Sequence, residues 1–195
     1  MSPSPIRVRD DELAALHSRL EAAAEAAGAV DIRYRVLDSP LGPLLLAATD
    51  AGLVRLAYAR EGHDAVLDEL GRRVSPRILR SPAPLDAAAR ELDEYFGRRR
   101  TAFDLPLDLR LVQGFRRRVL ELLPGIAYGT TRSYARLADA AGSPGAVRAA
   151  GTACARNPLP IVVPCHRVVR TDGRIGQYLG GPDAKLALLH LEAAR

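Results

Sequence analysis

Tryptophan is absent from this 195-residue chain, methionine occurs once and cysteine twice. Two cysteines, Cys154 and Cys165, are too few for a disulfide framework to organise the fold, and a reducing compartment keeps both as thiols. No apolar run reaches the roughly 18 residues a transmembrane helix needs. The opening stretch MSPSPIRVRDDEL has no apolar centre of signal-peptide length, so a cytoplasmic protein is expected. Lysine is nearly missing: all but one of the 28 cations are arginine. Hydrophobic residues make up 48% and charged residues 26%, which excludes a disordered chain.

Charge is unevenly spread. Residues 1–109 carry 15 arginines against 18 acidic residues. Residues 110–195 carry 13 cations against five acidic residues, a net of +8. A basic second half suits a polyanion, although arginine-rich composition alone produces the same bias.

Periodicity places the elements. Leu13, Leu16 and Leu20 repeat at helical spacing over residues 10–28, and Gly28 can stop that helix. Ile32, Tyr34 and Val36 alternate with arginines as a half-buried strand, and a hairpin turning at Asp50–Gly52 follows. Residues 62–73 and 84–96 read as helices, the second with a stripe of Leu85, Ala88, Ala89, Leu92 and Phe96. The run 98–110, where the charge balance changes sign, is expected to be a linker. Beyond it, 112–123 reads as a helix. Ser133 is an N-cap for a short helix that ends at Gly142, and Ser143-Pro144 is expected to cap and open another running to about Arg156. Two short helices around a glycine-containing turn resemble a helix-turn-helix, a pattern that any two packed helices share. Pro182 opens a last helix.

The chemistry centres on Pro164-Cys165-His166-Arg167. A cysteine becomes a nucleophile where cations or an imidazole favour its thiolate. Adjacent side chains point apart, so a water is expected to relay the proton between Cys165 and His166. The imidazole needs an acceptor on its other nitrogen; Asp172, Asp183 and Glu192 are the downstream candidates. For a bare Cys-His pair, a buried structural cysteine is the commoner outcome.

The longer pattern changes that weighting. NPLPIVVPCHRVV, DGRIGQYLGG and AKLALLHLE, together with SYARLADAAGSPGAVRAAG and SPLGPLLLAATDAGLVRL, resemble the O6-alkylguanine-DNA alkyltransferase family over about residues 30–193. The resemblance implies an α+β fold: a small N-terminal sheet-plus-helix domain of ribonuclease H-like type and a mainly helical C-terminal domain with a helix-turn-helix. It implies an α/β domain over 30–109 and a DNA-binding and alkyl-transfer domain over 110–195; the N-terminal helical extension over 1–29, read from its spacing, lies outside the resemblance. Cys165 corresponds to the alkyl acceptor, His166 to the water-mediated base and Glu192 to the carboxylate that orients it. Tyr178 corresponds to the tyrosine that donates a proton or a hydrogen bond to the departing guanine, and Asn157 to the asparagine tying recognition helix to active-site turn.

Further roles follow from the same resemblance. Arg148 corresponds to the residue that fills the stack when the base leaves, and Tyr134 to the tyrosine beside the rotated phosphate. Ser133 and Gly151 complete the DNA-binding set. Pro160, Val168, Leu179 and Gly180 fall around the substrate pocket, where the glycines of Leu179-Gly180-Gly181 lead to an expectation of generous volume. The implied partner is double-stranded DNA bearing O6-alkylguanine, met by a monomer with no membrane partner, cofactor or metal. Small residues on the recognition helix suit a minor groove. Two departures stand out: Arg116 follows Phe115 where the family often has glutamine, and Arg156 replaces a usual glycine. A lesion sensor without repair activity and a methylation-switched regulator remain as other readings.

Overall fold

The computed structural model describes residues 9–193; residues 1–8 of the expected N-terminal extension and residues 194–195 lie outside them. Helix α1 (Asp10–Ala26) leads into β1 (Ile32–Leu37), β2 (Leu44–Thr49) and β3 (Gly52–Tyr58), then α2 (His63–Arg73), β4 (Ile78–Arg80) and α3 (Asp86–Phe96). The sheet order is β3-β2-β1-β4, antiparallel except where β4 runs parallel to β1. Strands β2 and β3 are buried on both faces, which explains their nearly continuous apolar sequence. One face packs Ile32, Leu45, Val54 and Ala57 against Val66 and Leu70 of α2. On the other, Leu44, Leu46, Leu56 and Tyr58 meet Leu92 and Tyr95 of α3.

Several expectations needed correcting. The leucines of α1 are not buried: Leu13, Leu16 and Leu20 are 60%, 55% and 55% exposed. The helix docks instead through polar groups, with Glu25 paired to Arg33 and His17 Nε2 bonded to the carbonyl of Arg80 at 2.8 Å. Spacing marks an apolar face but cannot say whether anything covers it. In β1, Val36 is exposed although Ile32 is buried, so the alternation holds only at the strand's start. The supposed linker is pinned along β3: the Leu53 N–H donates to Pro106 O and the Asp108 N–H to Leu53 O, both at 2.8 Å. Gly52 permits this, because a Cβ there would stand 2.2 Å from the Pro106 carbonyl oxygen.

The second half comprises α4 (Gly114–Leu122), β5 (Arg132–Ser133), α5 (Tyr134–Ala140), α6 (Val147–Ala155), β6 (Val168–Val169) and α7 (Gly181–Ala193), with β5 and β6 parallel. Ser133 caps α5 by accepting the Arg136 N–H. Ser143 does not cap α6, which starts later, at Val147. Its carbonyl instead accepts the Ala146 N–H in a turn that precedes the helix. A single apolar cluster runs from β2 and β3 through α3 into α4, α5, α6 and α7, so both halves share one core.

Candidate active site

The segment after α6 is held by one side chain. Asn157, with no exposed surface, donates from Nδ2 to Val163 O at 2.8 Å and to Cys165 Sγ at 3.2 Å, while its Oδ1 accepts the Leu159 N–H at 3.0 Å. Within that clasp Ile161 has φ of 74°, a left-handed conformation that a β-branched residue adopts only under strain. The strained turn delivers Cys165 onto a short 3₁₀ turn, Cys165–Arg167, with Pro164 before it. Cys165 is 1% exposed. Burial pushes its thiol up to about 11, opposed by the Asn157 hydrogen bond and the charge of Lys185. The resting group is therefore a thiol that must lose its proton to react.

His166 and Glu192 meet as the resemblance implies, with Nε2 and Oε1 2.8 Å apart and both residues buried. The Glu192 carboxylate also receives Arg167 through Nε and Nη2 at 2.9 Å each, the Tyr95 hydroxyl at 2.7 Å and the Gly129 N–H at 3.1 Å. Burial alone would raise its pKa. The His166 and Arg167 hydrogen bonds outweigh that and hold the carboxyl at about 2. An ionised carboxylate only accepts, so Nε2 carries the proton and Nδ1 keeps its lone pair. Nδ1 is buried and has no hydrogen-bond partner among the described residues, and burial lowers the ring's pKa despite Glu192. The imidazole rests neutral, with its free base nitrogen available.

Tyr178 is 8% exposed, and its hydroxyl lies 2.8 Å from that of Tyr58 on β3. Gly180 does not open onto free volume. A Cβ there would lie 2.7 Å from the Tyr58 ring and 2.9 Å from Ala184 Cβ. Pro160 and Val168 are buried. The cavity beside Tyr178, Leu179 and Gly181, about 570 Å³, has none of Cys165, Pro160 or Val168 in its lining. The room expected beside Gly180 is thus taken by the Tyr58 ring.

A second cavity, about 560 Å³, runs along α6 between Arg148, Gly151 and Thr152 on one side and Tyr134, Arg170 and Gln177 on the other. Arg148 is exposed there. Ser133 is half-exposed, its hydroxyl engaged in the cap of α5. Tyr134 is buried beneath the helix, 4.0 Å from where a Gly151 Cβ would lie. Gly176 gives room to the Tyr134 hydroxyl, since a Cβ there would be 2.2 Å from it. Lys185, the single lysine, is fully buried and donates to Val168 O at 2.6 Å and to Tyr134 Oη at 3.3 Å. The two unusual arginines meet: Arg116 Nη2 donates to Arg156 O at 3.2 Å. Cys154 is buried, and burial pushes its thiol far up.

Comparison with known proteins bears on this arrangement. The family profile for the 6-O-methylguanine DNA methyltransferase ribonuclease-like domain matches residues 32–109, and that for its DNA binding domain matches residues 114–194. The methylated-DNA–protein-cysteine methyltransferase of Mycobacterium tuberculosis is 41% identical over 164 residues, covering 84% of this chain and 94% of that protein. This chain belongs to the methylated-DNA–protein-cysteine methyltransferase family. The mouse member is 39% identical over 165 residues, covering 78% of this methyltransferase chain and 77% of its own. A crystal structure of the M. tuberculosis O6-methylguanine methyltransferase superposes with a TM-score of 0.74 at 40% identity, over 84% of this chain and 94% of that one. Another, of the M. tuberculosis protein in complex with DNA, gives 0.73 at 40% identity over 83% and 93%. Helix α1 precedes both matched regions of the methyltransferase.

Sequence reading missed four members of this site. Arg167 was visible only as a neighbouring cation, and nothing in local spacing ties it to Glu192, 25 residues on. Tyr95 and Tyr58 arrive from the first half of the chain, 97 and 120 residues from their partners. Lys185 offered one signal, its being the only lysine.

Proposed function

We propose that this protein repairs double-stranded DNA by moving an alkyl group from O6 of guanine to its own Cys165. The observation that carries the reading is the buried relay: Glu192 fixes the His166 tautomer and leaves Nδ1 as a base on the residue next to the thiol that needs one. His166 takes the Cys165 proton through a bridging water. The thiolate sulfur attacks the alkyl carbon in line, an S–C bond forms, and the C–O6 bond breaks. Its electron pair goes to the guanine, which receives a hydrogen bond from Tyr178. A thioether is a poor leaving group, so each molecule acts once and needs no cofactor.

O6 of guanine is out of reach inside a duplex, so the nucleotide is extruded, at a cost of a few kcal/mol of stacking and pairing. Exposed Arg148 on the small-residue face of α6 fills the vacated stack, as wedges inserted through the minor groove do. Tyr134, below α6, adjoins the backbone of the rotated nucleotide. Ser133 and Gly151 meet the DNA backbone.

Mass spectrometry after incubation with a duplex containing O6-methylguanine tests this. The peptide carrying Cys165 should gain one methyl group in place of hydrogen, in a one-to-one titration against lesion. Cys165→Ala should bind the duplex and leave the lesion intact. Unmodified Cys165 with tight lesion binding would establish a sensor instead, and methyl on another residue would overturn the acceptor assignment.

A further inference from the structure

Strand β3 reaches from the sheet into the active site and grips both sides of it. The Leu56 N–H and Arg55 Nη1 both donate to the Pro158 carbonyl, at 2.8 and 3.1 Å, beside the Asn157 clasp. Two residues on, the Tyr58 hydroxyl meets Tyr178 at 2.8 Å, with the rings edge to face at a centroid distance of 5.8 Å. Tyr58 is 2% exposed and firmly seated. Its N–H donates to Glu61 Oε1 at 2.9 Å, and the other Glu61 oxygen pairs with Arg55. Gly180 leaves just enough space for its ring. Among the described residues, Tyr58 is the one hydrogen-bond partner of the Tyr178 hydroxyl.

A hydroxyl has one proton to give and can accept two bonds. If Tyr178 spends its proton on Tyr58, none is left for a departing base. If Tyr58 donates, Tyr178 accepts and its own O–H is free to point elsewhere. A hydroxyl that already accepts a bond is polarised into a better donor. We propose that Tyr58 is a positioning residue for alkyl transfer: its hydroxyl donates to the Tyr178 oxygen and turns the Tyr178 O–H toward the departing guanine. This rests on the reading of Tyr178 as the donor to that base. Both phenols keep their protons, because burial pushes each well above its ordinary range. No proton is transferred along the pair; the two hydrogen bonds strengthen as charge builds on the leaving base.

The test uses the full chain and single-turnover transfer from an O6-methylguanine duplex. Tyr58→Phe retains the ring against Gly180 and removes only the hydroxyl. It should slow transfer by about three- to tenfold, the rate equivalent of one net hydrogen bond, with DNA affinity unchanged. The loss should shrink for a duplex whose O6-methylated purine carries an electron-withdrawing ring substituent, because that anion leaves with less help. Tyr178→Phe should slow transfer at least as much, and the double variant should be no slower than Tyr178→Phe alone. A slow Tyr178→Phe beside an unaffected Tyr58→Phe overturns the proposal. So do additive losses, or a Tyr58→Phe loss that ignores the leaving group. A Tyr178→Phe variant at the wild-type rate overturns instead the underlying reading of Tyr178.

Discussion

Replacing Glu192 by glutamine should damage stability before it damages chemistry. Glu192 is 2% exposed and is the carboxylate that faces buried Arg167, itself 5% exposed. The change preserves shape but deletes the charge, and it turns one acceptor oxygen into a donor facing donors. Removing one partner of a buried ion pair typically costs about 3–5 kcal/mol, because the other charge is left uncompensated. For a chain of this size each kcal/mol lowers Tm by about 2–4 °C, so a fall of roughly 6–20 °C is expected. Calorimetry at neutral pH measures it. Glu192→Gln with Arg167→Met should recover part of the loss, since both charges then go together. The pH dependence has a definite sign. The carboxyl titrates at about 2 in the folded chain against 4.5 as its ordinary value, so the wild type loses this contribution as pH falls through that interval. The variant has no such carboxyl and should lose stability less steeply there. A Glu192→Gln protein melting within about 2 °C of wild type would refute the claim that Glu192 balances Arg167.

Other outcomes follow from the same geometry. His166→Ala should slow single-turnover transfer by about 10²–10⁴-fold. Wild-type transfer should be flat from neutrality upward and fall only in acid, where the imidazole that burial holds below its ordinary range finally gains a proton; a rate still rising steeply between neutral and alkaline pH would assign the proton to another base. Gly176→Ala drives a Cβ to 2.2 Å from the Tyr134 hydroxyl. Overpacking of that kind costs about 1–3 kcal/mol, so weaker duplex binding in a gel-shift titration is expected, and wild-type affinity would show that Tyr134 is free to move. Duplex affinity should fall with salt and vary little with flanking sequence. Each lost phosphate contact should reduce the log–log slope by about one unit, and an affinity flat across salt would contradict a basic DNA face.

The fold was legible where one stretch of chain carries its own signal. Apolar runs on either side of the Asp50–Gly52 turn located the β2–β3 hairpin, and Ser133 announced the start of α5. The motif around Cys165 pointed to His166 and Glu192, which the structure brings together. What stayed hidden depends on distant partners. Tyr58 reads as the end of an apolar strand and Tyr95 as an off-stripe helix residue; only folding sets their hydroxyls against Tyr178 and Glu192. The pocket was misjudged for the same reason, because Gly180 faces a ring supplied by the other half of the chain. The leucines of α1 differ: their helical spacing was legible, while whether any element covers them is not a property of spacing.

The seclusion of Cys165 has a consequence for the protein's lifetime. A reagent consumed by its own reaction can be squandered on any electrophile that drifts by. With the thiol held at about 11, roughly one molecule in 10⁴ carries a thiolate at neutral pH. Cys165 as a whole is 1% exposed, so small alkylating agents in solution also lack an approach. Reactivity toward iodoacetamide should therefore fall well below that of an open cysteine, even though the same sulfur reacts once a base is extruded against it. The cell's capacity for this repair equals the number of unspent molecules, and the closed site preserves that number between lesions.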